Sequence, residues 1–164
     1  GPYKIIADFF KSYTPDGDIC IEIQGGLTFY SYYGEEKIKL SSLYTDEEPL
    51  IFFGKETFGA IDHTDPKTAA KIMEFVKSDL YPKALQDTDK EELKKQLGKI
   101  FWWICQSKPW VQGDPSIAET LIRTIWQSKG FENPGWKEGI IPWVEVVKEP
   151  DVEKFAENFQ RLFN

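Results

Sequence analysis

Residues 19–33 have the sequence ICIEIQGGLTFYSYY, and this stretch decides the fold of the N-terminal half. The isoleucines at every second position from Ile19 to Ile23 predict a β-strand whose isoleucine face is buried. Gly25 and Gly26 then supply a hairpin turn signal, and an aromatic strand pattern follows them. The stretch therefore predicts two antiparallel strands joined by a tight turn.

The segments that follow extend this hairpin and then change to helical spacing. Further strand patterns lie within residues 37–41, 50–53 and 57–61. Helix starts are predicted where a capping residue precedes an apolar stripe, at Asp65-Pro66, at Thr88 with Glu91, and at Asp114-Pro115. Together these patterns predict an α+β fold, an antiparallel β-meander of about four or five strands packed with four or five helices, with a helical C-terminal half.

Three further expectations concern the organisation of the chain. Apolar residues cover about half the circumference of the predicted helix 114–128, which favours a central position for that helix. The β-branched run from Val144 to Val147 predicts a last strand. Residues 1–164 are expected to form a single domain, and Gly1-Pro2 resembles the pair left by a tag-cleaving protease, so we expect a domain excised from a longer protein.

Composition excludes several classes of function. The formal net charge is -7, with 27 acidic and 20 basic residues spread along the chain, so no basic stripe can neutralise the phosphates of a nucleic acid. The longest apolar run, Ile100 to Cys105, is far shorter than the roughly 20 residues that span a bilayer. Cys20 and Cys105 match no zinc spacing, and we expect free thiols and a cytoplasmic location.

His63 is the only histidine in the chain. With Asp62 and Asp65 beside it, His63 is a candidate general base or half of a metal site. Asp65 is already needed to cap a helix, however, and the turn supplies no second histidine. We therefore predict no metal site, no catalytic residue and no cofactor here.

Residues 108–116, with the sequence KPWVQGDPS, join two apolar helices. A glycine loop that leads into a helix N-terminus can bind an anion through its backbone N–H groups. Lys108, Gly113 and Ser116 are therefore candidate residues for binding an anion or a nucleotide. The alternative interpretation is a capped interhelical turn with Lys108 in solvent.

This loop resembles the helix-loop-helix of the Fic/Doc family, whose signature is His-Pro-Phe-x-(Asp/Glu)-Gly-Asn-Gly-Arg. Lys108 stands at the position of the catalytic histidine, and Pro109 and Gly113 match the signature. Asp114 replaces the asparagine, and the following glycine and arginine are missing. The resemblance implies a degenerate nucleotide-binding or enzymatic domain that has lost AMP transfer by that mechanism.

Aromatic residues are abundant, with six tryptophans, seven tyrosines and twelve phenylalanines. The candidate binding residues among the tryptophans are Trp102, Trp103, Trp110, Trp136 and Trp143. On a helical wheel Trp102 points about 180° away from the apolar stripe of its helix, so it is either covered by another element or exposed as an anchor. The acidic turn Asp46, Glu47 and Glu48 is a candidate for steering a basic partner.

These features predict a protein-binding module with an acidic, aromatic surface. Its form would be an inhibitor or immunity-type protein, or a domain of a bacterial effector. The expected partner is a basic protein, with no nucleic acid and no membrane, and the chain is not expected to be an enzyme. Two alternatives stay open: the degenerate Fic-like domain, and a small-ligand domain whose pocket is lined by Trp102, Trp103 and Trp126.

Overall fold

The computed structural model describes residues 2–44, 50–52, 55–57, 60–108 and 113–164. Its strands are β1 (Cys20–Ile23), β2 (Gly26–Tyr33), β3 (Glu36–Tyr44), β4 (Leu50–Phe52), β5 (Lys55–Thr57) and β6 (Ala60–Asp62). Four of them form an antiparallel sheet in the order β1-β2-β3-β6, and β4 pairs with β5 separately. The predicted meander is confirmed.

The described helices are α1 (Pro2–Ser12), α2 (Pro66–Phe75), α3 (Tyr81–Gln86), α4 (Lys90–Ser107), α5 (Asp114–Ser128), α6 (Pro142–Lys148) and α7 (Val152–Asn158). A π-helical turn, Val76–Leu80, joins α2 to α3, and a 3-10 turn, Phe159–Leu162, follows α7. Most of these helices lie after the sheet, so the α+β class and the helical C-terminal half are confirmed. That residues 1–164 form a single domain stays a prediction.

The buried face of β1 is not the predicted one. Cys20 is fully buried, whereas Ile21 and Ile23 are half-buried. Cys20 is the cross-strand partner of Phe29, whose ring lies 5.4 Å from that of Phe10 on α1. The helix that precedes the strand therefore covers the cysteine side, and alternation in the sequence does not reveal which side a helix will cover.

The central helix is α4, and the prediction that helix 114–128 takes this place was wrong. α4 contacts the sheet at β3 and also packs against α2, α3, α5, α6 and α7. Leu93, Ile100 and Trp102 are all fully buried although they point in different directions from the helix axis. From Ile100 to Ile104 every residue of α4 is buried, around the whole circumference of the helix, which an amphipathic stripe does not predict.

Two of the three predicted helix starts shift by one residue. Asp65 accepts the backbone N–H of Lys67 at 3.1 Å and caps α2 as predicted. Asp89, rather than Thr88, caps α4 by accepting the N–H of Glu91 at 2.8 Å. The N-cap of α5 is Gly113 in a left-handed conformation, and Asp114 is the first residue of the helix.

The predicted strand from Val144 to Val147 is part of α6 instead. Pro142 occupies the first turn of this helix, where its missing N–H costs nothing. Val144 and Val146 are buried. Tertiary burial therefore outweighs the β-propensity of the valines.

Candidate functional site

The predicted anion loop lies between the end of α4 and the start of α5. Lys108 ends α4 in a left-handed conformation (φ 45°), and its backbone N–H bonds to the carbonyl of Ile104. Gly113 has φ 84° and offers no side-chain cap to α5. Ser116 is exposed in the first turn of α5. Residues 109–112, including the candidate Trp110, lie outside the described residues.

Tertiary structure brings His63 to this loop. The Thr64 hydroxyl donates to the carbonyl of Gln106 at 2.9 Å, which ties the β6–α2 turn to the last turn of α4. Partial burial lowers the pKa of His63, and the positive charge of Lys108 lowers it further, while Asp62 and Asp114 oppose the shift. The sequence treated His63 and the loop as separate candidates, but the structure places them within electrostatic range of each other.

Asp114, the first residue of α5, has only 1% of its surface exposed. Its charge and, above all, burial raise the pKa of the Cys105 thiol well above its usual range, against the opposing effect of Lys108. Cys105 is therefore held as a neutral thiol, which is a poor nucleophile and a poor metal ligand. No group of three or more metal-ligating side chains occurs within the described ranges.

The structure places two of the predicted tryptophan anchors in the core. Trp102 is 0% exposed and Trp103 is 2% exposed, so neither can contact a partner, and this part of the prediction was wrong. The Trp102 indole donates its N–H to the carbonyl of Glu149 at 2.7 Å. α6 and α7 cover the side of α4 that carries Trp102. These two helices therefore bury the ring that the helical wheel placed opposite the apolar stripe.

Two other candidate tryptophans are half-buried. Trp136 donates its indole N–H to a carboxylate oxygen of Glu119 at 2.7 Å and stacks on Phe163 at a centroid distance of 4.2 Å. Trp143 lies in the first turn of α6. A binding role for Trp136 and Trp143 stays a prediction, and the acidic turn Asp46, Glu47 and Glu48 lies outside the described residues.

Sequence reasoning missed a groove between α6 and α7, here called the α6–α7 groove. Its volume is about 550 Å³, including the space open to solvent, and it is lined by Glu145, Lys148, Glu149, Lys154, Phe155, Asn158 and Leu162. These residues come from α6, from α7 and from the turns that follow each helix, so no single segment of the sequence indicates the groove.

Carboxylates and lysines lie close together at this groove. Burial raises the pKa of the Glu149 carboxyl, and the neighbouring Asp151 raises it further, while the positive charge of Lys154 opposes the shift. The pKa of Tyr13 is raised to about 12, chiefly by burial, with contributions from Asp16 and Glu149. Carboxylates from the α1–β1 loop, from Glu149 at the end of α6 and from Asp151 before α7 therefore act on the same small region.

Comparison with known protein families shows which family the chain belongs to. Residues 51–164, more than half of the chain, match the family model AvrB_AvrC, described as avirulence protein. The chain belongs to the AvrB/AvrC avirulence protein family. It is thus a bacterial effector domain, which confirms one of the two forms that the sequence left open.

One relative in this family is avirulence protein B from Pseudomonas savastanoi pv. glycinea. It is 28% identical over 105 residues, which are 63% of this chain and 32% of the relative. The chain therefore spans about a third of the length of this AvrB/AvrC relative.

Family membership does not fix the cellular location of this chain or its relation to a membrane. Effectors of the AvrB/AvrC family are secreted into host cells, so a cytoplasmic location stays a prediction. In the part of the chain that the structure describes, no helix is long and apolar enough to cross a bilayer.

Proposed function

We propose that this effector domain binds a basic segment of a host protein in the α6–α7 groove. The observation that carries the proposal is the position of Glu149, which lines the groove, is half-buried and lies close to Asp151; burial and Asp151 raise the pKa of its carboxyl, and Lys154 opposes them. A lysine or arginine side chain placed there would relieve both penalties. Family membership supports a protein target in the host.

The lining of the groove suits such a side chain. Phe155 and Leu162 line it with apolar side chains, Glu145 and Glu149 with carboxylates, and Lys148 and Lys154 with ammonium groups. Arginine and lysine combine an apolar stem with a charged end, so they can contact the apolar and the acidic side chains at once. Lys148 is 3.9 Å from Glu145, and Lys154 offsets part of the charge of Glu149, the residue that follows α6, so a cationic side chain from a partner would compete with these two lysines for the carboxylates.

The first prediction concerns the double variant Glu145→Gln/Glu149→Gln. Its affinity for short fluorescein-labelled peptides with a central Arg-Gly-Arg, measured by fluorescence anisotropy, should fall about tenfold because charge-assisted hydrogen bonds are lost. Wild-type affinity should also fall as the pH is lowered through the raised pKa of Glu149, since protonation removes the charge that attracts the peptide. The loss should begin at a higher pH than for an ordinary glutamate.

Glu157→Gln provides the matched control, because Glu157 is an exposed carboxylate of α7 that does not line the groove. Equal losses in the control and in the double variant would mean that only net charge matters, and the proposed groove would be wrong. Host proteins captured from lysate by the wild type and lost with the double variant would identify the partner.

A second candidate function is anion binding at the loop between α4 and α5. The specific observation in its favour is the convergence of His63 and Lys108 at the uncapped start of α5. A phosphate there would interact with Lys108 and with backbone N–H groups of the first turn. The buried Asp114 opposes this, so the binding of a nucleotide would depend strongly on Lys108.

The second prediction tests this candidate with ATP. ATP should raise the melting temperature of the wild type, and Lys108→Ala should abolish the increase. Without ligand, Lys108→Ala should raise the pKa of His63, because the positive charge of Lys108 lowers it in the folded protein. The single histidine makes this shift measurable by NMR titration. If Lys108→Ala raised the pKa of His63 but ATP left the melting temperature unchanged, nucleotide binding would be contradicted. The proximity of His63 and Lys108 would still be supported.

A further inference from the structure

The charged side chains that line the α6–α7 groove are balanced in sign. Glu145 and Glu149 are acidic, Lys148 and Lys154 are basic, and within the described ranges no other charged side chain lines the groove. A segment that carried only positive charge would meet both lysines as well as both carboxylates. Binding of a protein segment in this groove therefore requires partners for the lysines too.

These four side chains are accessible to a partner. Glu145 has 26% of its side-chain surface exposed and Lys148 has 35%, while Glu149 is half-buried and Lys154 is exposed. The groove leaves about 240 Å³ of room for a ligand. The charged lining is therefore a surface that a partner can reach, and it is not part of the closed core.

The two lysines differ in how closely a carboxylate offsets their charge. The Lys148 ammonium is 3.9 Å from a carboxylate oxygen of Glu145. No carboxylate of the described residues forms an ion pair with Lys154 within 4.0 Å, and Glu149 and Asp16 interact with its charge from further away. Asp16 is held in the α1–β1 loop, where its Oδ1 atom accepts three backbone N–H groups at 2.9 to 3.2 Å. Lys154 is therefore the lining cation with more charge to offer a ligand.

An arginine bound at Glu149 would change the surroundings of Lys154. Two cations would then share one half-buried carboxylate, and their mutual repulsion would offset part of the attraction. An acidic side chain in the same segment removes this cost, because it pairs with Lys154 while the arginine pairs with Glu149. Each of these charges then has a partner of opposite sign.

We propose, on the basis of the protein binding proposed for this groove, that the bound segment carries an acidic residue within two positions of its arginine. The arginine contacts Glu149 and the acidic side chain contacts Lys154. In an extended segment, residues two positions apart project to the same side and lie roughly 7 Å apart, so both can face the groove. The partner is thus a host protein segment of mixed charge, and a uniformly basic segment binds less tightly.

Fluorescein-labelled peptides with a single arginine test this mixed-charge partner. They carry a central Arg-Gly-Glu or Glu-Gly-Arg, and each is compared with the peptide that has Gln in place of Glu. In fluorescence anisotropy at least one Glu peptide should bind the wild type about fivefold more tightly than its Gln counterpart, as expected for an ion pair at a partly exposed site.

The variant Lys154→Gln should affect two peptides in opposite directions. The preferred Glu peptide should lose its advantage and bind within about twofold of its Gln counterpart, which completes a double-mutant cycle between peptide and protein. The Arg-Gly-Arg peptide should bind more tightly than it binds the wild type, because a repelling and competing cation is gone. Misfolding of the variant would weaken both peptides, so it cannot produce this pattern.

Lys67→Gln is the matched control. Lys67 is an exposed lysine in the first turn of α2, and its backbone N–H bonds to the cap Asp65 at 3.1 Å. Lys154 has the same setting in α7, with its N–H bonded to the cap Asp151 at 3.3 Å. Lys67 does not line the groove, so its replacement changes the net charge equally and should leave the preference for the Glu peptide intact.

Two results would overturn the mixed-charge partner alone. One is equal binding of the Glu and Gln peptides by the wild type, while Arg-Gly-Arg still binds and is weakened by Glu145→Gln/Glu149→Gln. The other is an equal effect of Lys154→Gln and Lys67→Gln on the preference for the Glu peptide. If no peptide with arginine bound the wild type, the protein binding proposed for the groove would be wrong as well.

Discussion

The variant Trp102→Ala is expected to lose about 4 kcal/mol of its free energy of unfolding, the usual cost of removing a fully buried tryptophan. Trp102 is 0% exposed, and its loss would leave a cavity between α4 and the α6–α7 connection. The carbonyl of Glu149 would also lose its hydrogen bond, which adds to the penalty if no water replaces the indole. Urea denaturation followed by circular dichroism measures the change.

Trp102→Phe is the control that separates packing from hydrogen bonding. Phenylalanine keeps an aromatic ring but cannot donate to Glu149, so we expect a loss of about 1–2 kcal/mol. If Trp102→Ala were as stable as the wild type but bound its partner more weakly, Trp102 would be a surface anchor after all, and its burial would be contradicted. The structure favours the opposite result, a destabilised protein.

The second large effect is expected at Gly98 in the middle of α4. A Cβ atom built at this position would lie 2.9 Å from the Cβ of Phe159 and 3.2 Å from the Cα of Ala156. Gly98→Val should therefore destabilise the domain by about 3 kcal/mol, because overpacking outweighs the helix propensity gained by losing glycine. Thermal and urea denaturation both measure the loss.

Gly135→Val is the comparison for this variant. A Cβ at Gly135 would lie 3.6 Å from the side chain of Asn164, an ordinary contact, and Gly135 is exposed. We expect a change within about 0.5 kcal/mol, as for most surface substitutions. If Gly98→Val were as stable as Gly135→Val, then α4 and α7 would not pack as closely as the structure describes.

Local sequence signals predicted elements well where one physical cause dominates. The Asp65-Pro66 start of α2 depends on a side-chain cap and on the fixed φ of proline, both of which act within a few residues. The Gly25-Gly26 turn between β1 and β2 has the same local origin, since Gly25 has φ 81°. At Val144 to Val147 local propensity failed, because packing of these valines decided between strand and helix.

The candidate sites show a similar division. Lys108 and Gly113 were found from the sequence, because a loop and a helix start adjoin within nine residues, 108–116. His63 joined them only through the contact of Thr64 with Gln106, which connects segments 42 residues apart. The α6–α7 groove has no local sequence pattern, since it is lined by more than one element.

The sequence by itself determined the α+β class, the strand-then-helix order and the acidic charge, because periodicity, turn residues and composition act locally or sum along the chain. Tertiary structure decided which aromatic rings reach the surface. Trp102 and Trp103 were indistinguishable from surface anchors until α6, α7 and the sheet were packed around α4. Burial depends on what covers a residue, and the covering elements are distant in sequence.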